Sequence, residues 1–475
     1  MTNIKSKFIF YLIFAILLIG LIFLVFTSTE KSNAVECTNC NVIIVAFDAM
    51  QASHVSAYGY SIKTTPNLDD FASQSFLFKD AISPASWTVP IYVSWFTSLY
   101  PSEHKVVNKF SVYNPPVAIV ANLRNLTPSA ITLAEIMKQN GYTTVGFTGD
   151  AGARGAQGNS IGFDIYIDTP AGFNGFDYSM PLALSWIKNN TDKKFFMFVH
   201  GYDSHGQYDL QNFTKKFVDF NYTGKFKGTV QEQAQLREEG LANGFVNITN
   251  DDVRFWRALY DEKINSADTK FGDFIKQLKE IGLLNKTIII VAADHGTEFY
   301  EHNRFDHGHT LYQELIHVPL IIWNPKILGG KTIASQVSTL DIMPTVLDFV
   351  NIKPNTTASS QMKGISLASA LQEKDMSRDV YSETDYRLFT HKRSIITKDG
   401  WKFILTLAES PNKTNIKELY NLNNNPKETS NLINSEPRIA YELEQKLLKH
   451  LKDMGTNTEG PWIIGCVPVY NEQCK

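Results

Sequence analysis

Cysteine is almost missing from the body of this sequence. Cys37 and Cys40 stand near one end, Cys466 and Cys474 near the other, and none lies between them. An interior held by cross-links is therefore excluded. A zinc site begun by Cys37-x-x-Cys40 would need a second pair, and the Cys466 to Cys474 spacing is wrong for common zinc modules. Disulfides are the expectation. Four cysteines allow three pairings, one of which ties the start of the chain to its tail. A surplus of charge is missing too. Lys and Arg number 45 against 48 Asp and Glu, a net charge of −3, which argues against a duplex nucleic-acid binder. Long apolar runs are missing but for one, so a polytopic membrane protein is excluded. An ordinary 43% of hydrophobic residues argues against long disorder. At roughly 150 residues per domain, 475 residues leave room for up to three domains.

The one apolar run is Phe8–Phe26, 19 residues without a charge. At about 1.5 Å per residue it reaches roughly 28 Å, enough for a hydrocarbon core. Lys5 and Lys7 precede it, which predicts a cytoplasmic N-terminus and everything after about residue 30 on the other side. A cleaved signal peptide is the alternative, but its apolar region would be about 7–15 residues and end in a small-residue site. Here Thr27-Ser-Thr-Glu-Lys31 follows instead. Eight Asn-x-Ser/Thr sequons (Asn125, Asn189, Asn212, Asn221, Asn247, Asn285, Asn355 and Asn412) agree weakly with an extracytoplasmic location.

Short apolar runs alternate with helical patterns. Val42–Phe47, Thr143–Phe147, Phe195–Val199, Thr287–Ala292 and Val318–Trp323 read as buried strands. Leu133–Gln139, Met180–Lys188 and Val253–Ile281 read as helices. The last has Trp256, Leu259, Tyr260, Ile264, Ala267, Phe271, Phe274, Ile275 and Leu278 near a 3.6 period. This alternation predicts an α/β fold with a mostly parallel central sheet flanked by helices. Gln207–Asn250 is polar and reads as an irregular insertion. Beyond about residue 375, Ser394–Thr397 and Trp401–Leu405 flank a Lys-Asp-Gly turn, and Pro437–Leu451 reads as a helix: a smaller C-terminal α+β subdomain. The expected division is a cytoplasmic N-terminus (1–7), an anchor (8–26), a stalk (27–40), a main domain (41–375) and a C-terminal subdomain with tail (376–475).

Three predicted strands run into ligand-type residues. Val42–Phe47 leads to Asp48, Phe195–Val199 to His200 with Asp203 and His205, and Thr287–Ala292 to Asp294-His295-Gly296. Ligands of open α/β sheets bind beyond the carboxyl ends of strands, so one site is expected there. Five of 11 histidines fall between His295 and His317, among them His307 and His309. Carboxylates with imidazole suit Zn²⁺ or Mn²⁺; an all-oxygen set would suit Ca²⁺ or Mg²⁺ better. Ser86-Trp-Thr88-Val-Pro90 opens another predicted helix, whose N-terminus favours negative charge. Thr88 there is either an N-cap or a nucleophile.

In this order the residues resemble the sulfatase family of the alkaline phosphatase superfamily. Asn41-Val-Ile-Ile-Val-Ala-Phe-Asp48 is similar to that family's first strand and metal Asp. Tyr58-Gly-Tyr60 and Thr65-Pro-Asn-Leu-Asp69 are similar to the signatures that follow, and Trp87-Thr-Val-Pro90 through Leu99-Tyr-Pro-Ser-Glu-His104 to the nucleophile helix. Asp294-His-Gly296 and His307-Gly-His-Thr-Leu-Tyr312 through Val318-Pro-Leu320 resemble the second metal segment. Asp341-Ile-Met-Pro-Thr345 and Glu418-Leu-Tyr420 through Pro426, Glu428 and Asn431-Leu432 resemble late motifs.

The resemblance implies an alkaline-phosphatase-like fold and one divalent metal ion (Mn, Zn, Mg or Ca) held by Asp48, Thr88, Asp294 and His295. It implies Thr88, His205 and His307 as catalytic residues, the two histidines holding an anionic group or protonating a leaving group, and His200 and His309 as further substrate contacts. Two departures matter. True sulfatases carry a Cys or Ser that becomes formylglycine; Thr88 is not expected to convert. Ala49 stands where calcium-dependent members have a second Asp. Thr at this position is similar to the phosphoglycerol and phosphoethanolamine transferases. Phosphoryl transfer through Thr88 is therefore the first expectation, sulfuric ester hydrolysis the second, and a non-catalytic surface binding protein the third. The expected partners are the bilayer, through the anchor, and an anionic ester on a lipid head group or cell-surface glycan, with no nucleic acid. The expected location is the cell membrane, with the catalytic domain outside the cytoplasm.

Overall fold

Strand β1 (Asn41–Phe47) is buried along its whole length. Its side chains alternate between two cores: Ile43, Val45 and Phe47 face one, Val42, Ile44 and Ala46 the other. A strand with two buried faces must lie mid-sheet between layers of helices. A computed structural model of the chain describes residues 35–107, 126–149, 152–168, 173–206, 216–218, 221–386, 390–407 and 414–455. The expected anchor, Phe8–Phe26, and Cys466 and Cys474 lie outside the described residues. Among the described residues no helix is long and apolar enough to cross a membrane.

The remaining strands are β2 (Phe76–Ile82), β3 (Thr143–Thr148), β4 (Ile165–Ile167), β5 (Phe195–Gly201), β6 (Thr287–Ala293), β7 (Glu298–Phe299), β8 (Phe305–Asp306), β9 (His317–Trp323) and β10 (Lys331–Ser338). A second set follows: β11 (Val380–Tyr386), β12 (Thr390–Ile396), β13 (Trp401–Thr406) and β14 (Ile416–Asn421). The helices that position the site are α1 (Thr88–Thr97), α2 (Leu133–Gln139), α3 (Phe176–Lys188), α4 (Val230–Asn243), α5 (Asn250–Glu280) and α6 (Pro437–Asp453).

The main sheet runs β10-β2-β9-β6-β1-β5-β3-β4, and only β9 is antiparallel to its neighbours. Helices α3 and α5 cover the face bearing Ile43, Val45 and Phe47; α1 and α2 cover the other. The C-terminal strands form an antiparallel sheet, β11-β12-β13-β14. Its Phe403, Leu405 and Leu419 pack on Leu443, Leu447 and Leu451 of α6. This sheet is fastened to the loop after β6. Lys402 Nζ lies 2.7 Å from Glu428 Oε1, both side chains fully buried, and Glu428 also accepts the backbone N–H of Gln313 at 2.6 Å.

Two expectations change. The segment 207–250 is not wholly irregular, because it contains α4. A capping box starts that helix: Thr229 Oγ1 accepts from Glu232 N at 3.3 Å, and Glu232 Oε2 accepts from Thr229 N at 2.9 Å. Cys37 and Cys40 are bonded to each other, so neither ties the start of the chain to its tail and neither thiol is left for zinc. Residues at the end of the expected stalk lie against the main domain: Cys37 N donates to Phe349 O at 2.6 Å, and Asn324 Nδ2 to Val35 O at 2.8 Å.

Candidate active site

Sheet register brings the ligand-type residues together. Phe47 at the end of β1 pairs with Ala293 of β6 on one side and Gly201 of β5 on the other. The next residues, Asp48 and Asp294-His295, therefore emerge at one level, and His200, opposite Ala46, lies beside them. Ala49 then turns the chain with φ 56°, a left-handed conformation costing an ordinary residue about 1–2 kcal/mol. Its N–H donates to Asp294 Oδ1 at 3.0 Å, which joins the two strand ends directly. The same oxygen accepts the N–H of His295 at 2.7 Å. Burial raises the Asp294 pKa, although His295 and these donors oppose it.

Tautomer choice prepares His295. Its Nδ1–H donates to Gly296 O at 2.7 Å, so Nε2 is the acceptor edge. Nε2 lies 3.1 Å from Thr88 Oγ1, 3.5 Å from Asp294 Oδ2 and 3.7 Å from Asp48 Oδ1. Burial holds the ring's pKa down to about 4, so it is neutral at pH 7 and fit to ligate. The donor set suits a divalent cation. Asp48, Asp294 and His295 are all buried, and each offers a ligand atom within 4.8 Å of the others. Two buried carboxylates beside a neutral imidazole leave negative charge that a cation would balance.

Thr88 is the first residue of α1, not its cap; Trp87 holds the cap position without a side-chain bond. The Thr88 hydroxyl is turned to His295 instead, which removes the simple capping explanation. It sits 2% exposed at a helix start, where positive potential and the cluster meet.

The other expected residues divide. His205 and His307 adjoin the cluster: the His307 ring centroid is 4.4 Å from that of His295 and 4.7 Å from that of His205. Tyr202 Oη lies 3.1 Å from His205 Nε2. The geometry does not favour the substrate contacts expected of His200 and His309. The His200 side chain is fully buried with Nε2 3.3 Å from Asp48 Oδ2, so it fixes the direction of that carboxylate. His309 Nε2 lies 2.9 Å from Glu298 Oε2, in a buried pair. Asp203 caps the start of α3 through Phe176 N at 2.6 Å and pairs with Lys270.

Three participants escape sequence reasoning. Lys263 reaches His205 O at 3.3 Å from α5, and burial pushes its pKa down to about 8. A charged residue beside that helix's apolar stripe was the available signal. Asp306 binds His307 Nδ1, and Arg237 Nη1 lies 3.4 Å from Asp306 Oδ2. Burial works to raise the Asp306 pKa, but His307 and Arg237 hold it well below the usual carboxylate range. Nothing local marks this pair, because 69 residues separate its members.

Residues 40–352 match the family model described as Sulfatase, and residues 300–457 the one described as N-sulphoglucosamine sulphohydrolase, C-terminal. Arylsulfatase K of Mus musculus is 30% identical over 205 residues, 42% of this chain and 36% of that protein. The matches span only 36–42% of the length of the arylsulfatase K relatives. An arylsulfatase of Clostridium perfringens is 22% identical over 90% of this chain and 98% of its own length. The crystal structure of the phosphonate monoester hydrolase of Agrobacterium radiobacter superposes with a TM-score of 0.68 and 18% identity, covering 87% of this chain and 96% of that one. That likeness shows a shared fold. The family uses a divalent metal, in keeping with the Asp48–Asp294–His295 cluster. With more than half its length matched by the family model, the chain belongs to the sulfatase family.

Proposed function

We propose that the chain hydrolyses an anionic ester at the Asp48–Thr88–Asp294–His295 centre, with sulfuric esters as its first substrate class. The observation that carries this is the Thr88 hydroxyl, at the start of α1 and 3.1 Å from His295 Nε2 within a buried Asp-Asp-His set. The arylsulfatase relatives support sulfate over phosphate. A divalent cation bound there would polarise the ester's oxygens and lower the pKa of a nearby hydroxyl. Thr88 presents its oxygen to the sulfur or phosphorus from beside the position where Asp48, Asp294 and His295 Nε2 would hold the cation. His307 and His205 line the other side, where they hold non-bridging oxygens or give a proton to the leaving group. His200 keeps Asp48 in place. Because Thr88 lacks formylglycine's aldehyde exit, release of the group requires attack by water at sulfur or phosphorus.

The same threonine favours a second reading, phosphoryl hydrolysis or transfer, in which a phospho-threonine is resolved by water or an acceptor alcohol. The uncharged run Phe8–Phe26 supports a membrane-held enzyme acting outside the cytoplasm on lipid head groups or surface glycans. The test is a panel of p-nitrophenyl sulfate, p-nitrophenyl phosphate and bis-p-nitrophenyl phosphate with Mn²⁺, Zn²⁺ or Ca²⁺. Sulfate turnover that disappears in Asp294→Asn is the expected result. Turnover of phosphate esters alone would replace the first reading by the second, and no turnover of any ester would count against both.

A further inference from the structure

Helix α4 comes from the polar 207–250 segment, yet it lies over the catalytic loops. A Cβ at Gly206, next to His205, would collide with Gln233, and one turn further along α4 Arg237 reaches Asp306. Asp306 is 1% exposed and sits at φ 80°, a left-handed conformation that a non-glycine residue keeps only where its surroundings hold it. One carboxylate oxygen engages His307 Nδ1, and the other faces Arg237 Nη1 at 3.4 Å. With Nδ1 committed to Asp306, any bond from His307 to substrate runs through Nε2. The His307 ring stands between those of His205 and His295. A chain of three groups thus runs from α4 to the edge of the metal cluster.

We propose that Arg237 and Asp306 are positioning residues that fix His307 as the group gripping the substrate's sulfuryl or phosphoryl oxygens. On this view α4 sets the affinity of the centre for its anion. The inference rests on the anionic-ester reading above. Arg237 also lies 3.1 Å from Glu238, but Glu238 is half exposed whereas Asp306 is buried, so the Asp306 contact is the one that shapes the site.

The test uses the full chain saturated with Mn²⁺ and measures binding of inorganic sulfate and inorganic phosphate by calorimetry. Asp306→Ala should weaken anion binding at least about tenfold. Arg237→Ala should weaken it about threefold, with Arg237→Lys restoring most of the loss. Bound metal, by elemental analysis, should stay at the wild-type level. On whichever nitrophenyl ester is turned over, KM should rise by the same factors while kcat changes less than about threefold. Arg237 is partly exposed, so its variants should melt like wild type and decide the matter even if Asp306→Ala does not fold. Wild-type anion affinity in folded Arg237→Ala, or loss of metal along with affinity, overturns the relay alone. A wild-type chain that binds neither anion and turns over no ester overturns the relay and the proposed function together.

Discussion

Thr88 has a single side-chain oxygen, and its direction separates a structural from a chemical role. A capping threonine bonds the backbone two or three residues on; this one lies against His295 Nε2. Thr88→Ala should therefore lower turnover of the preferred ester by at least about a thousandfold, with melting temperature and metal content unchanged. Wild-type turnover in that variant would dismiss the nucleophile. Asp294→Asn should lower the bound metal measured by elemental analysis, since it weakens one of the three buried groups that could hold a cation. His104 makes a different prediction. It is fully buried, accepts from Val106 N at 3.1 Å through Nδ1 and lies 3.0 Å from Ser94 Oγ through Nε2. Burial pushes its pKa down to about 3 from the ordinary 6.5. The unfolded chain thus takes up a proton between these values that the folded chain refuses. Stability present above about pH 6.5 is lost as pH falls toward 3, by up to about 1.4 kcal/mol per unit. Melting temperatures from pH 7 to 4 should fall less steeply for His104→Gln than for wild type; parallel curves would count against this assignment.

Among the elements, α5 shows what periodicity can and cannot tell. Eight of the nine apolar positions predicted for its stripe are buried, and Ile275 is partly so. Phe271 packs against Phe47 and Phe71, with ring centroids 5.9 and 5.3 Å away. Phe271→Ala should cost about 3–5 kcal/mol in denaturant unfolding, because the cavity lies directly beneath β1. The Val- and Ile-rich strands were equally plain: each predicted core strand exists within two residues of its expected ends. Helix α4 was not, since Gln, Glu and Arg dominate it and only Leu236, Gln233 and Gly240 are buried. Its one readable mark was Thr229-Val-Gln-Glu232, the capping box. Of the site, Asp48, Asp294 and His295 were legible because strands deliver them. Asp306 and Arg237 were hidden because a left-handed turn and a distant helix create their contact.

For the whole molecule, Glu428 joins the C-terminal part to the segment between β6 and β9, through Gln313 N and His302 Nε2, and the buried Lys402 ammonium balances its charge. Lys402→Ala would strand a carboxylate that already accepts Gln313 N, at a cost of about 3–5 kcal/mol. The expected outcome is a lower melting temperature and freer proteolysis after residue 380; unchanged thermal unfolding would show that water replaces the ammonium. The position of β1 has a consequence in time. Its two neighbours begin at Phe195 and Thr287, so this wholly buried, Val- and Ile-rich strand is made long before either. At about 5–20 residues per second, β1 leaves the ribosome roughly 12–50 s before β6 exists to shield its second edge. During that interval the growing chain carries a bare adhesive ribbon, and its yield in the cell depends on what chaperones that ribbon until Thr287 arrives.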